Sequence, residues 1–237
     1  MTNYNCYNTA GMAWPNNGNR KIMYESLYMY NVLTNENEAL LADGPLVWED
    51  ELNAIVKVNQ AAHWNDGTPL TADDVVWTFE SAQLITTSWS DFWSWVEKIE
   101  KVDDYTVRFT IVAEPYNIYK LPQFLGSTSI VPKHVWEPIF AELENDAAAI
   151  YELFTDKVGQ EYAGLGDDGD YILVASGPFR PYYYDDTRIV CIRNDNYWGQ
   201  DPSMFGKLPA PRFISHGIYA DNAAGNMAFQ NGEVDVS

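Results

Sequence analysis

Apolar and polar residues alternate with period two over Ala54-Ile55-Val56-Lys57-Val58, the pattern of a strand with one buried face. Val96 to Val102 and Thr106 to Val112 read as a strand pair across the Asp103-Asp104 turn. Phe179 to Tyr184, Arg188 to Arg193 and Arg212 to Tyr219 add three more strands, and Leu40 to Leu46 leads into the strand-like stretches that follow it. Helical spacing at Ile22, Met23, Leu27 and Tyr30 predicts a helix over Arg20 to Tyr30. Further helices are predicted over Ala72 to Gln83, Glu137 to Phe154 and Asp221 to Gln230. Residues 1 to 20, rich in Asn, Gly and Pro, read as a loop. Strands and helices interleave irregularly, which predicts an α/β fold of the mixed α+β kind. Val234 to Ser237 looks like the opening of another strand, so a truncated product is expected.

The helix from Ala72 carries its own start signal. Thr71 with Asp74 three residues on forms a capping box, and Asp73 and Asp74 sit where the helix dipole favours negative charge. Those two acids therefore have a structural explanation and are not taken as a catalytic pair. Gly164 to Asp170 is an acidic, Gly-rich loop whose Asp spacing faintly resembles a calcium loop, but no Glu follows at the required position. It reads as a solvated turn.

Composition narrows the function. With 14 Lys plus Arg against 34 Asp plus Glu, the formal charge is −20 and the pI about 4.2, which argues against nucleic-acid and anionic-membrane partners. An apolar share of 46% with 20% charged residues is that of a globular chain, and no apolar run approaches the roughly 18 residues of a membrane span. The opening Met-Thr-Asn-Tyr-Asn-Cys has neither a basic nor an apolar segment of a signal peptide, so none is expected in this chain. Cys6 reads as a loop thiol and Cys191 as a buried one; His63, His134 and His216 are scattered. Neither set predicts a metal, a cofactor or a nucleophile. The aromatics are more telling. Trp14, Trp89, Trp93 and Trp95 lie among Asn, Ser, Thr, Asp and Pro rather than on apolar stripes. Rings beside amide and carboxylate groups suit a ligand with apolar faces and a polar rim, a sugar or a peptide; the alternative is that the rings fill a core.

Four stretches in this order resemble the family 5 extracellular solute-binding proteins of ABC importers. They are Met23-Tyr24-Glu25-Ser26-Leu27; Trp64-Asn65-Asp66-Gly67-Thr68-Pro69-Leu70-Thr71-Ala72-Asp73-Asp74-Val75; Ser176-Gly177-Pro178-Phe179 with Arg193-Asn194-Asp195-Asn196-Tyr197-Trp198-Gly199; and Ala228-Phe229-Gln230-Asn231-Gly232-Glu233-Val234-Asp235. The second is the most specific, and it reads as structural: a turn, a cap and core aromatics.

The resemblance implies the first lobe of a two-lobed, hinge-closing, type II periplasmic-binding-protein-like fold with a mixed sheet. Residues 1–237 would form the N-terminal lobe, with about 45–175 as an inserted subdomain and 1–44 with 176–237 as the core sheet portion; the second lobe is absent. Regions that line the cleft match Trp14, Asn16 and Asn17 in the opening loop and Trp89, Asp91 and Trp93 after the capped helix. Ser127, within Phe124 to Thr128, is a third candidate. The expected role is capture of an oligosaccharide, such as a β-glucan or cello-oligosaccharide, for delivery to an ABC importer permease. The location would be periplasmic or cell-surface, and the protein a monomer. An oligopeptide ligand is the alternative within the family. From another class, a glycoside hydrolase would need two carboxylates about 5 or 6.5–9.5 Å apart, and the acids here are accounted for by caps, turns and surface charge.

Overall fold

In the computed structural model, which describes residues 21–150 and 174–235, no helix forms over residues 21–30, where the spacing predicts one: residues 22–24 and Leu27 are bends and Tyr28 opens a strand. Strand β1 (Tyr28–Asn31) pairs antiparallel with β2 (Glu36–Ala39) as a hairpin. Asn35 takes a φ of 61°, a left-handed geometry Asn tolerates, and its N–H closes the turn on Asn31 O at 2.9 Å. Upstream, the backbone is claimed by distant partners. Gly177 N–H donates to Met23 O at 2.7 Å, Phe179 N–H to Ile22 O at 3.0 Å, and Ile130 N–H to Glu25 O at 2.8 Å. Tertiary pairing overrides the local spacing.

The alternating stretches build a four-stranded sheet ordered β3-β4-β6-β5, from β3 (Val47–Trp48), β4 (Asn53–Lys57), β5 (Val96–Asp103) and β6 (Thr106–Ile111). Ala54 lies opposite Phe109 and Val56 opposite Val107, and all four are buried. Helix α1 (Ala72–Leu84) packs on this sheet. It starts as predicted: Thr71 N–H donates to Asp74 Oδ2 at 2.8 Å within a capping box. Helix α2 (Lys120–Ser127) lies against β1, and α3 (Lys133–Glu142) against α1. The second Asp74 oxygen accepts from Lys133 N–H at 2.9 Å, so one buried carboxyl serves the first turns of two helices. Burial raises its pKa, opposed by these N–H donors.

Helix α3 stops well short of the expected Phe154. Glu144 and Asn145 take positive φ values of 51° and 62°, and Asp146 Oδ1 accepts from Ala148 and Ala149 N–H at 2.8 and 3.2 Å, starting a new turn. Residues 151–154 and the acidic loop 164–170 lie outside the described residues.

A third sheet, ordered β7-β8-β9, consists of β7 (Phe179–Tyr184), β8 (Arg188–Arg193) and β9 (Phe213–Gly217); α4 (Asn222–Gln230) follows, capped by Asp221 Oδ1 on Ala224 N–H at 2.8 Å. The sheet buries Phe179, Ile189 and Cys191 against Ile22 and Ile214. Cys191 is a free, buried thiol whose pKa burial pushes up to about 12, while Cys6 lies outside the described residues. The α/β, mixed α+β class stands, but the ladders differ from the expected mixed sheet. Among the described residues every one is antiparallel.

Three of the four family-like stretches meet in space. Residues 22–25 bond to the 176–179 stretch, and Asn65 N–H donates to Ala175 O at 3.0 Å while Asn196 Nδ2 donates to Asn65 O at 3.3 Å. Gly177 is required at this crossing: a Cβ there would fall 2.5 Å from Ile22 O and 2.6 Å from Met23 O.

Candidate functional site

The loop after α1 closes into a 3-10 turn at Ser90–Ser94. Its polar residues serve the turn itself: Thr87 N–H donates to Ser90 Oγ at 2.8 Å, and Trp89 N–H to Thr87 Oγ1 at 3.3 Å. Trp89 is buried, and its Nε1–H donates to Thr78 O at 2.9 Å. Trp93, half-buried, donates from Nε1 to Phe79 O at 2.9 Å. Between them Phe92 stacks on Phe79 at 4.1 Å and meets Phe124 edge-on at 5.6 Å, which fastens the turn to α2. Two of the rings expected to face ligand thus hold the loop to the core.

Asp91 is exposed, as are Thr86, Ser88 and Ser94, and Trp95, a ring not among the expected site residues, is half-buried like Trp93. Trp95 Nε1–H donates to Asp91 Oδ2 at 3.0 Å, and Lys120 Nζ lies 4.6 Å from the Trp95 ring centroid. Tyr116 and Tyr119, 54% and 78% exposed, stand on the loop that enters α2. At the other end of α2, Ser127 is exposed and its carbonyl accepts from Lys21 Nζ at 3.3 Å. Eight helical residues separate these ends by about 12 Å at 1.5 Å per residue. Asp91 and Ser127 therefore flank one short helix. Trp14, Asn16 and Asn17 lie outside the described residues.

The other candidate groups are placed individually. Asp73 pairs with Lys101 at 2.6 Å, and His134 Nε2 lies 2.8 Å from Asp66 Oδ2. His63 Nδ1 is 2.9 Å from Trp64 O. Among the described residues no group of three or more His, Cys, Asp or Glu side chains is placed to hold a metal ion, and no helix is long and apolar enough to cross a membrane.

The three antiparallel sheets with their short helices match one fold class, that of the periplasmic solute-binding proteins. Within it, the model of bacterial extracellular solute-binding proteins, family 5 Middle, matches residues 37–237, and the chain belongs to that family. The family consists of solute-binding transport proteins that act outside the cytoplasm. The peptidoglycan-binding protein YepA of Agrobacterium fabrum is 33% identical over 242 residues, covering 96% of this chain and 33% of that protein. The probable peptide-binding protein YejA of the same organism is 29% identical over 196 residues, 83% of this chain and 29% of the relative. The mannohexaose-bound periplasmic oligopeptide-binding protein of Thermotoga maritima superposes with a TM-score of 0.72 at 29% identity, over 99% of this chain and 38% of that one. The oligopeptide-binding protein AppA of Bacillus subtilis, in complex with a nonapeptide, shares the fold with a TM-score of 0.65 at 22% identity, over 91% of this chain and 38% of its own. The chain spans about a third of the length of these proteins.

Proposed function

We propose that this chain is the first lobe of a periplasmic or cell-surface protein that captures an oligosaccharide between two lobes and hands it to an ABC permease. Residues 45–175 would form an inserted subdomain on a core sheet from 1–44 and 176–237. The observation that carries the sugar reading is the strip at the start of α2. The Asp91–Trp95–Lys120 group sits beside a loop with two exposed tyrosine rings, Tyr116 and Tyr119. Exposed tyrosine rings next to carboxylate and ammonium groups suit a pyranose, whose faces are apolar and whose rim is hydroxyl. The mannohexaose-bound neighbour supports the same class, and a β-glucan or cello-oligosaccharide is the specific ligand proposed. Asp91, Trp95 and Ser127 are the ligand-facing residues proposed within the described chain, joined by Trp14, Asn16 and Asn17 from the opening loop.

An oligopeptide is the second reading, favoured by the nonapeptide bound to AppA and the name of YejA. Calorimetric titration of the full-length protein with cello- and manno-oligosaccharides and with short peptides separates the two. Saturable heat with sugars supports the proposal; heat with peptides alone overturns the sugar assignment and leaves the transport role in place.

A further inference from the structure

Glu25 is buried, 1% exposed, at the point where three parts of the chain meet. Its Oε1 lies 2.5 Å from Tyr197 Oη, and its Oε2 accepts from Trp198 Nε1–H at 2.6 Å. Its N–H donates to Ser176 Oγ at 3.0 Å, and its carbonyl accepts from Ile130 N–H at 2.8 Å. Ser26 Oγ donates to Gly126 O at 3.0 Å, so the same segment is tied to the end of α2. The titratable groups facing the carboxyl are Lys21 on its own segment and Tyr197 on the segment after β8; residues 126–130 meet residues 25 and 26 through main-chain groups.

The geometry accommodates two protonation states. As a carboxylate, Glu25 accepts from both Tyr197 and Trp198. As an acid, it donates from Oε1 to Tyr197 Oη and still accepts from Trp198 at Oε2. Burial decides between them, because removing a carboxylate from water costs more than two neutral donors return. Desolvation pushes the Glu25 pKa up to about 8, against the opposing pull of Tyr197, Trp198 and Lys21. The Tyr197 hydroxyl is raised as well, by burial first and by Glu25 second.

We propose that Glu25 is a proton-operated latch: as the buried acid it locks residues 21–27 to the Tyr197-Trp198 pair, and its ionisation places a buried charge in the junction and loosens it. The lock stands on the junction alone.

The test is Glu25→Gln in the full-length protein, since Gln copies the acid: Nε2–H donates to Tyr197 Oη and Oε1 accepts from Trp198. Infrared difference spectra and urea unfolding are recorded from pH 5 to 9.5. The sign follows from linkage. The folded pKa lies above the unfolded one, so the folded state holds the extra proton, and stability present at low pH is lost as pH rises to about 8. A protonated-carboxyl band present at pH 7, absent from E25Q and fading near pH 8 is expected. The wild-type folding constant should fall relative to E25Q by up to about tenfold per pH unit across that window. No such band at pH 6–7, or identical profiles for the two proteins, overturns the latch. Should E25Q not fold, the Trp198 indole N–H resonance of the wild type reads the same carboxyl: an inflection near pH 8 supports the latch, and a flat course from pH 6 to 9.5 overturns it.

Discussion

Replacing Trp89 by Ala separates packing from ligand contact. Trp89 is 5% exposed and its Nε1–H is committed to Thr78 O at 2.9 Å, so truncation empties an indole-sized site between α1 and the 3-10 turn. A buried Trp removes about 200 Å² from water, worth about 5 kcal/mol at about 25 cal/mol per Å². Measured Trp→Ala costs of about 3–5 kcal/mol already include partial collapse of the cavity, and the lost hydrogen bond adds about 1 kcal/mol. We expect a loss of about 4 kcal/mol, a fall of about 8–16 °C in melting temperature for a chain of this size. Trp95→Ala, by contrast, removes a half-buried ring bonded to the exposed Asp91 and should cost about 1 kcal/mol of stability, its main effect falling on ligand affinity. Urea unfolding followed by circular dichroism gives the first quantity, and calorimetric titration of the full-length protein the second. Wild-type stability for W89A together with tenfold weaker binding would show that the Trp89 ring reaches the ligand, and would sink the packing assignment.

Three further outcomes follow from the junctions. Asp74→Ala strips the acceptor from Thr71 N–H and Lys133 N–H and should cost about 2–3 kcal/mol in urea unfolding, with Asp74→Asn recovering part of it; an unchanged midpoint would mean the shared cap contributes nothing. Gly177→Ala forces its Cβ against the main chain of Ile22 and Met23 and should cost about 2–3 kcal/mol, read as a lowered thermal midpoint; wild-type stability would show that the crossing can open without loss. Lys21 has its pKa lowered to about 8, chiefly by burial, so the unfolded state holds the extra proton from there up to the ordinary lysine range. Stability should therefore rise with pH between about 8 and 10.5, and Lys21→Met should flatten that rise; an unaltered profile in the variant refutes the assignment.

What could be read from the chain was what local chemistry decides. The Thr71–Asp74 cap and the strand pair read at Val96 to Val102 and Thr106 to Val112 are settled within a few residues, and both formed, the strands as Val96–Asp103 and Thr106–Ile111. The helix expected at Arg20 to Tyr30 failed because its backbone partners lie more than 100 residues away, at Ile130 and Gly177. The tryptophan loop is a different case, since the signal was present. Trp89, Phe92, Trp93 and Val96 fall at i, i+3, i+4 and i+7, the spacing of one buried face, and Asp91 and Trp95 fall off it. Polar neighbours suggested ligand contact, yet Thr87 and Ser90 spend their groups on the turn and the indole N–H groups on carbonyls of α1. Nothing near Glu25 announced its burial, which needs Tyr197 and Trp198 from the far end of the chain. The stretches that carry the family resemblance build this junction, and the outward strip along α2 belongs to none of them. A strong motif in this chain therefore reports how its segments are held together, and the ligand-facing residues proposed lie where the pattern is weakest, among the rings the packing leaves outside.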